Sequence, residues 1–402
     1  MEIYKLGDLG AIVTGTTPPK QNPEYFSFSG IPFLTPSDIA FGRRRNFTER
    51  FLSPSGVEWA KKRILPPGAS SVVCIGSTIG KVSQIDRPTL TNQQLNSVVP
   101  DAAKCDANFL YYSLTDICSD LKRIAGGSTA PILNKSEFAQ LEIKLPKLME
   151  QRRIAEVLGA LDDKIESNLR VRNLCRDLGG NLVADTVRSA PSTQLEHYAA
   201  SISRGVTPQY YKDEDASPVL VLNQKCIRDG WVTPELARLM TPRAREKSQA
   251  IARLDDLLVN STGQGTLGRV ARWDSDDPIF VDSHVTVVKA DPRRIYPVLM
   301  PYLVFPLQDE IEHMATGSTG QTELSPSRLA QLNVPLLSLE EQRPLSARLV
   351  ALEAQAHYCQ VQSLKLTELR DALLPELMSG RMRVDEAGCL VSEALDEEVA
   401  DV

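Results

Sequence analysis

Two stretches carry the residue types of phosphate chemistry, CIGSTIGKVSQ at 74–84 and NSTGQGTLGRVAR at 260–272. A nucleotide-binding P-loop needs G-x-x-x-x-G-K-[ST], because its glycine-rich backbone wraps the phosphates and the hydroxyl after the lysine reaches magnesium. The first stretch is one residue short between Gly76 and Gly80, and Val82 stands where the hydroxyl belongs. The second reads G-Q-G-T-L-G followed by Arg269 and Val270. A dinucleotide fingerprint must open a helix, whereas KVSQI and RVARW are β-branched and alternating, as strands are. Both stretches are therefore glycine turns feeding strands. A hydroxyl, a glycine and a cation on such a turn can approach and neutralise a nucleic acid backbone phosphate.

Other chemistry is harder to assemble. Asp101 after Pro100, with Glu142 and Lys144 far downstream, has the residue types of a nuclease metal site. Asn333 and Pro335 stand at the matched places of the second half, so charges at strand ends account for them better. There is no Asn-Pro-Pro or Asp-Pro-Pro loop and no glycine motif for S-adenosylmethionine. The seven cysteines and four histidines are dispersed without a C-x-x-C pair, which spells out neither a zinc site nor a disulfide framework. The expectation is a noncatalytic chain with no cofactor or metal of its own.

The 402 residues suffice for two or three domains. No run of eighteen apolar residues exists, and MEIYKLGDLG has neither the basic nor the apolar segment of an export signal, so a cytoplasmic address is expected. The formal charge of -6 argues against a nucleic acid partner, but residues 376–402 hold eight acids and two bases, so the rest of the chain is balanced. Within it bases cluster at GRRRN (42–46), at KKR (61–63), and at Arg238, Arg243, Arg245 and Lys247.

The chain is written twice. LNKSEFAQLEIKLPKLMEQRRIAEVL (133–158) and LSPSRLAQLNVPLLSLEEQRPLSARL (324–349) share Leu, Ser, Ala-Gln-Leu and Glu-Gln-Arg without a gap, 191 residues apart. TGTTP and RGVTP, GGST and TGST, TIGKV and TLGRV repeat the relation with small drifts. Each copy begins with short strand signals punctuated by Pro, Gly and Asn and ends in a charged stretch with helical periodicity. Ile154, Leu158, Leu161 and Ile165 step by 4, 3 and 4, the seam of a coiled coil. Leu345, Leu349, Leu352 and Ala356 follow 191 residues later, and the stripe continues through Leu366, Leu373 and Leu377. Ser338 with Glu341 predicts a capping box, and Pro344 falls in the first turn, where a missing N–H costs little. Helices of about 35 to 40 residues span roughly 50 to 60 Å, and each needs a partner for its stripe. The other copy is the simplest one. The fold class expected is mixed α/β (α+β): two homologous domains in tandem, 1–148 and 191–338, separated by helices at 149–190 and 339–380 packed as an antiparallel coiled coil with internal pseudo-twofold symmetry. Residues 381–402 read as an acidic tail without fixed structure.

The duplication, the GSTIGKV and QGTLGRV turns, EQRRIAEVLGALDDKIE entering the first helix and LRDALLPELMSGRMRV closing the second resemble the specificity subunit of Type I restriction-modification systems, over roughly residues 1–384. The resemblance implies two target-recognition domains, each reading one half of a bipartite double-stranded DNA site. It implies spacer helices that set the gap and dock two DNA adenine methyltransferase subunits, which hold the S-adenosylmethionine, and in some complexes a restriction/translocase subunit. A noncatalytic protein-interaction scaffold, or a recognition subunit of another methylation-associated phage-defence assembly, is the alternative. Base readout draws on Arg, Lys, Asn, Gln, Ser and Thr side chains, which are frequent in the stretches that differ between copies. The expected DNA-binding residues are Lys20, Tyr25, Arg43, Arg44, Arg45, Lys81, Gln93, Gln94 and Asn96 in the first domain. In the second they are Arg204, Tyr210, Tyr211, Gln224, Lys225, Arg228, Gln264, Arg269 and His284. GGSTAPILNK and GSTGQTELSP either touch a backbone phosphate or form a turn before the following helix.

Overall fold

The computed structural model describes residues 2–76, 78–118, 121, 132–211, 217–228, 230–241, 250–315 and 322–396. The chain divides into two units, Met1–Ser167 with Gln362–Val402, and Asn168–Val361. Each unit holds a globular part and a segment of both long helices, which run over Leu148–Val187 and Leu339–Ser379.

In the first unit an antiparallel sheet runs in the order Gly10–Thr14, Leu95–Pro100, Ser70–Val73, Val82–Gln84. In the second unit the same order is taken by Ala199–Arg204, Val285–Ala290, Leu257–Asn260 and Val270–Arg272. Register is shared too: Val72 faces Val82, and Val259 faces Val270. A second sheet in each unit is built on one parallel pair, Ile31–Leu34 with Leu90–Thr91 and Val219–Leu222 with Ile279–Val281. The edges differ. Phe26–Ser27 is a strand where the second unit has the isolated Tyr210–Met240 bridge, and Ile251–Ala252 is a strand where the first has the isolated Leu65–Thr89 bridge.

The glycine turns explain themselves by packing. Gly80 has φ +91°, and a Cβ there would stand 2.6 Å from the carbonyl of Cys118, the last residue of the helix Ala107–Cys118. Only glycine allows both the left-handed backbone and that approach.

The helix pair is antiparallel: the start of the first lies with the end of the second in one unit, its end with the start of the second in the other. Ile154, Leu158, Leu161, Leu366, Leu373 and Leu377 share the core of the first unit; Val183, Leu345 and Leu349 share that of the second. Each such buried leucine contributes about 2 kcal/mol. Of the expected seam, Ala356 is also buried, while Ile165 and Leu352 are half-buried. Between the two apolar ends the buried positions turn polar or small, with Asn168, Cys175, Cys359 and Gln362. The predicted capping box is formed: the Glu341 N–H donates to Ser338 Oγ at 3.4 Å, and the Ser338 N–H donates to Glu341 Oε2 at 2.8 Å. The Ser338 hydroxyl, which donates to Glu341 Oε2 at 2.7 Å, and after it the Ser338 N–H hold the Glu341 carboxyl below its ordinary pKa.

The tail expectation is corrected. Val384–Asp396 is a helix, with Val384, Ala387 and Val391 buried in the core of the first unit and Asp385 paired with Arg153. Its apolar residues recur at spacings of three and four, and their burial outweighs a net negative charge that stays on the solvent side.

Candidate nucleic-acid interface

The two glycine turns close with the same backbone hydrogen bonds. The Gly80 N–H donates to the Val73 carbonyl and the Gly268 N–H to the Asn260 carbonyl, both at 2.9 Å. The cations that follow are both turned onto backbone carbonyls, Lys81 onto a neighbouring loop and Arg269 onto its own turn. Lys81 Nζ donates to the Ile39 carbonyl at 2.5 Å and lies 5.3 Å from the centroid of the Phe41 ring. Arg269 Nη2 donates to the Gly265 carbonyl at 2.8 Å from a more open position.

Beside the turn in the second unit, three loops meet. Thr262 Oγ1 lies 2.6 Å from His284 Nδ1, and Asn260 Nδ2 donates to the Gln224 carbonyl at 2.9 Å. The His284 N–H donates to Asp282 Oδ1 at 2.9 Å, on a carboxylate that is itself buried. Burial pushes the Asp282 pKa up, with the His284 N–H pulling it back. His284, Gln264, Lys225 and Arg228 are exposed around this knot. Tyr210 and Tyr211 lie nearby in sequence: Arg238 sits 3.5 Å over the Tyr210 ring, and the Tyr211 N–H donates to the Leu239 carbonyl. Arg243, Arg245 and Lys247 lie outside the described residues, as do residues 126–131 of GGSTAPILNK and 317–321 of GSTGQTELSP.

The matched place in the first unit is built from different side chains. The Gln94 carbonyl accepts the Cys74 N–H and the His284 carbonyl accepts the Ser261 N–H, both at 2.8 Å, so Gln94 and His284 are structural equivalents. Thr17 Oγ1 donates to Gln93 Oε1 at 2.5 Å, and Asn92 Nδ2 donates to Gln94 Oε1 at 3.1 Å. Arg63 donates to the carbonyls of Thr14 and Gly15 at 3.3 Å. Lys20 and Gln93 are exposed, while Tyr25 stacks on Trp59 with centroids 5.8 Å apart. Thr17, Asn92, Asn260 and Thr262 complete these clusters and escaped the sequence reading, although their positions flank the glycine turns or the strand paired with them.

Five expected residues are engaged within the protein instead. Asn96 is 4% exposed; its Oδ1 accepts Thr14 Oγ1 at 2.7 Å and its Nδ2 donates to the Leu133 carbonyl, so it ties strands together and faces no solvent. Arg44 is 6% exposed and donates to Asp163 at 2.5 Å and to the Tyr112 hydroxyl at 3.3 Å. Burial works against its charge, but Tyr112, Asp163 and Asp162 more than offset that and hold its pKa above the ordinary value. Arg45 pairs with Glu166 at 3.0 Å, and Arg43 lies 5.5 Å from the Phe47 ring centroid, its pKa lowered by burial. The triple arginine thus fastens a loop to the first long helix. Arg204 is half-buried between Glu323 and the Leu324 carbonyl, which fixes it within its domain.

Among the described residues no group of three or more His, Cys, Asp or Glu is placed to hold a metal ion. Burial raises the thiol pKa values of Cys74 and Cys226 to about 11, so neither is a ready nucleophile. No described helix is long and apolar enough to cross a membrane.

The family described as Type I restriction modification DNA specificity domain matches residues 1–173. Over 148 residues the chain is 37% identical to the Type I restriction enzyme HindI specificity subunit of Haemophilus influenzae, covering 36% of this chain and 32% of that protein. Over 169 residues it is 32% identical to the MjaIX specificity subunit of Methanocaldococcus jannaschii, covering 41% and 39%. The match thus spans about a third to two fifths of these relatives' length. Its fold is similar to the crystal structure of the Type-I restriction-modification system S subunit from M. genitalium, with a TM-score of 0.53 and 17% identity over 94% of this chain and 95% of that one.

Proposed function

We propose, on the premise that this chain belongs through residues 1–173 to the Type I restriction modification DNA specificity domain family, that it is a sequence-specific DNA-binding subunit reading a bipartite target. Each globular part reads one half-site of double-stranded DNA, and the helix pair sets the gap between them. The observation that carries this reading is the doubled architecture: two domains of one strand order, each packed on a segment of both long helices within its own unit. Reading a split site demands two modules at a fixed separation, and a helix of 40 residues, about 60 Å long, is stiff enough to supply it.

The loops around Gln93 and Gln94 in one domain and around Gln224, Gln264 and His284 in the other offer side-chain amides and an imidazole for base edges. Lys20, Lys225, Arg228 and Arg269 supply cations for phosphates, and Tyr25, Tyr210 and Tyr211 flank them. Differences between these clusters give the two half-sites different sequences. The chain is noncatalytic, and it works with DNA in the cytoplasm. Two adenine methyltransferase subunits dock on the helices and carry the S-adenosylmethionine, joined by a restriction subunit in complexes that also cut. Long-read mapping of methylated adenines in cells with and without the chain tests this. Loss of methylation at one split motif is expected, and an unchanged pattern would defeat the reading.

A further inference from the structure

Each long helix buries one carboxylate at a matched position, Asp162 on the first and Glu353 on the second, 191 residues apart. Asp162 Oδ2 accepts the Tyr112 hydroxyl and Glu353 Oε1 accepts the Tyr302 hydroxyl, each at 2.6 Å. These tyrosines are 190 residues apart, so carboxylate and phenol are a duplicated pair. The guanidinium on the remaining oxygen is not. Arg370 of the second long helix donates to Asp162 Oδ1 at 2.7 Å and to the Gly42 carbonyl at 2.6 Å. Arg272, on a strand of the globular part, donates to Glu353 Oε2 at 2.6 Å.

The counterparts of these arginines have changed in step. Arg272 faces Leu257 in its sheet as Gln84 faces Ser70, so Gln84 holds the matched place, and it donates to Asn108 Oδ1 at 2.8 Å. Gly179 stands 191 residues before Arg370, and a Cβ there would meet the Tyr302 ring at 2.7 Å. Arg272 is steadied by Asp255 at 2.6 Å. Asp255, at φ 69°, is the one non-glycine with a left-handed backbone among the described residues, and its counterpart is Gly68 at φ 87°. Gly68, Gln84 and Arg370 in one unit thus stand against Asp255, Arg272 and Gly179 in the other. A further arginine lies within electrostatic reach of each carboxylate, Arg44 in the first unit and Arg176 in the second, but the oxygen left by the tyrosine accepts from a single guanidinium in each. Supply from the strand and supply from the helix thus compete for that one buried oxygen.

We propose that Asp162 and Glu353 are positioning residues. Each locks the angle of its own globular part on the helix pair, and the source of the arginine makes each domain fit its own helix environment. The consequence for DNA, that each lock governs one half-site only, rests on the recognition reading above.

The test uses the full chain, with unfolding followed by near-UV circular dichroism and DNA binding measured on targets scrambled in one half-site at a time. Arg370→Gly is expected to lower the unfolding midpoint and to cut discrimination at the first half-site about tenfold, as an estimate for losing a charge-assisted contact. Adding Gln84→Arg and Gly68→Asp to it restores both to within about twofold by supplying the strand arginine. The same two substitutions with Arg370 retained lower the midpoint. A triple variant no better than Arg370→Gly, or one that fails to fold alongside it, overturns the proposal. Asp162→Asn and Glu353→Gln serve as isosteric checks: they loosen different half-sites, and an equal loss at both would also overturn it. The unfolding arm involves no DNA. Rescue there in a chain that prefers no split sequence sustains the positioning role and sinks the recognition reading instead.

Discussion

The two units solve one packing problem with different arginines. In the first, the Arg44 and Arg45 side chains of a loop reach Asp163 and Glu166 on the first long helix. In the second, the helix reaches out: the guanidinium carbons of Arg172 and Arg176 lie 3.6 and 3.3 Å from the centroid of the Trp231 ring, and Arg172 pairs with Asp274 at 3.2 Å. Burial there lowers the Arg176 pKa to about 10, with Glu353 and Tyr302 pulling it back. Strand order, register and glycine-turn hydrogen bonds are common to both units, but the side that supplies the cation is not. A backbone ladder needs each partner at a set place, whereas an ion pair needs only a charge within reach, so duplication preserved the first and let the second drift.

That contrast can be broken or sharpened. The largest effect is expected from Asp162→Ala, which removes the buried partner of both Arg370 and the Tyr112 hydroxyl, leaves Arg370 only Asp371 and the Gly42 carbonyl, and should cost about 3–5 kcal/mol in denaturant unfolding. Trp231→Ala removes two stacked guanidiniums from the other unit and should cost about 2–4 kcal/mol by the same measurement. A smaller loss for Asp162→Ala than for Trp231→Ala would reverse the ranking of the two clamps. Arg45 contacts the first helix up to Glu166 and Arg172 resumes contact with the other globular part, so a heptad cannot be deleted between them without removing a clamp. Inserting seven residues after Ser167 and seven after Val361 preserves both. Methylation mapping should then find unchanged half-sites with a gap longer by up to about three base pairs, from a rise of about 1.5 Å per helical residue; an unchanged gap removes the helices as the ruler. Arg269→Ala should flatten the salt dependence of DNA binding by about 0.9 in log–log slope, one phosphate, while Lys81→Ala, whose ammonium is held by the Ile39 carbonyl of a neighbouring loop, should leave the slope alone and lower thermal stability. Equal slopes for both variants would cancel the distinction drawn between the two turns. Ser338→Ala should cost least, on the order of 1 kcal/mol or less, through loss of the helix cap.

Much of the architecture was legible in the residues. The repeat placed the two halves, the 4-3-4 spacing at Ile154, Leu158, Leu161 and Ile165 placed a helix, and the β-branched residues after Gly80 and Gly268 ruled out a nucleotide loop. These signals are local: periodicity and turn chemistry act over a few neighbours, so the sequence expresses them directly. The candidate site was legible only as a neighbourhood. Gln93, Gln94, Gln224 and His284 lie on loops beside the turns, but the Thr17 hydroxyl that engages Gln93 comes from 76 residues away, and His284 reaches Thr262 of the turn across 22 residues.

The sequence by itself determined that there are two copies, that each ends in a long helix, and that those helices must find an apolar partner. Only the tertiary structure decided the fate of the charges. Arg44 and Arg45 read as a basic patch until the fold brought acid and base together, and nothing in the sequence marked Asp162 and Glu353 for burial. The acidic end became a helix because the core of the first unit offered Val384, Ala387 and Val391 a place to bury. A charge carries no period that reveals its partner. Whether it meets a phosphate, water or another side chain depends on residues distant in the chain, and those are neighbours only after folding.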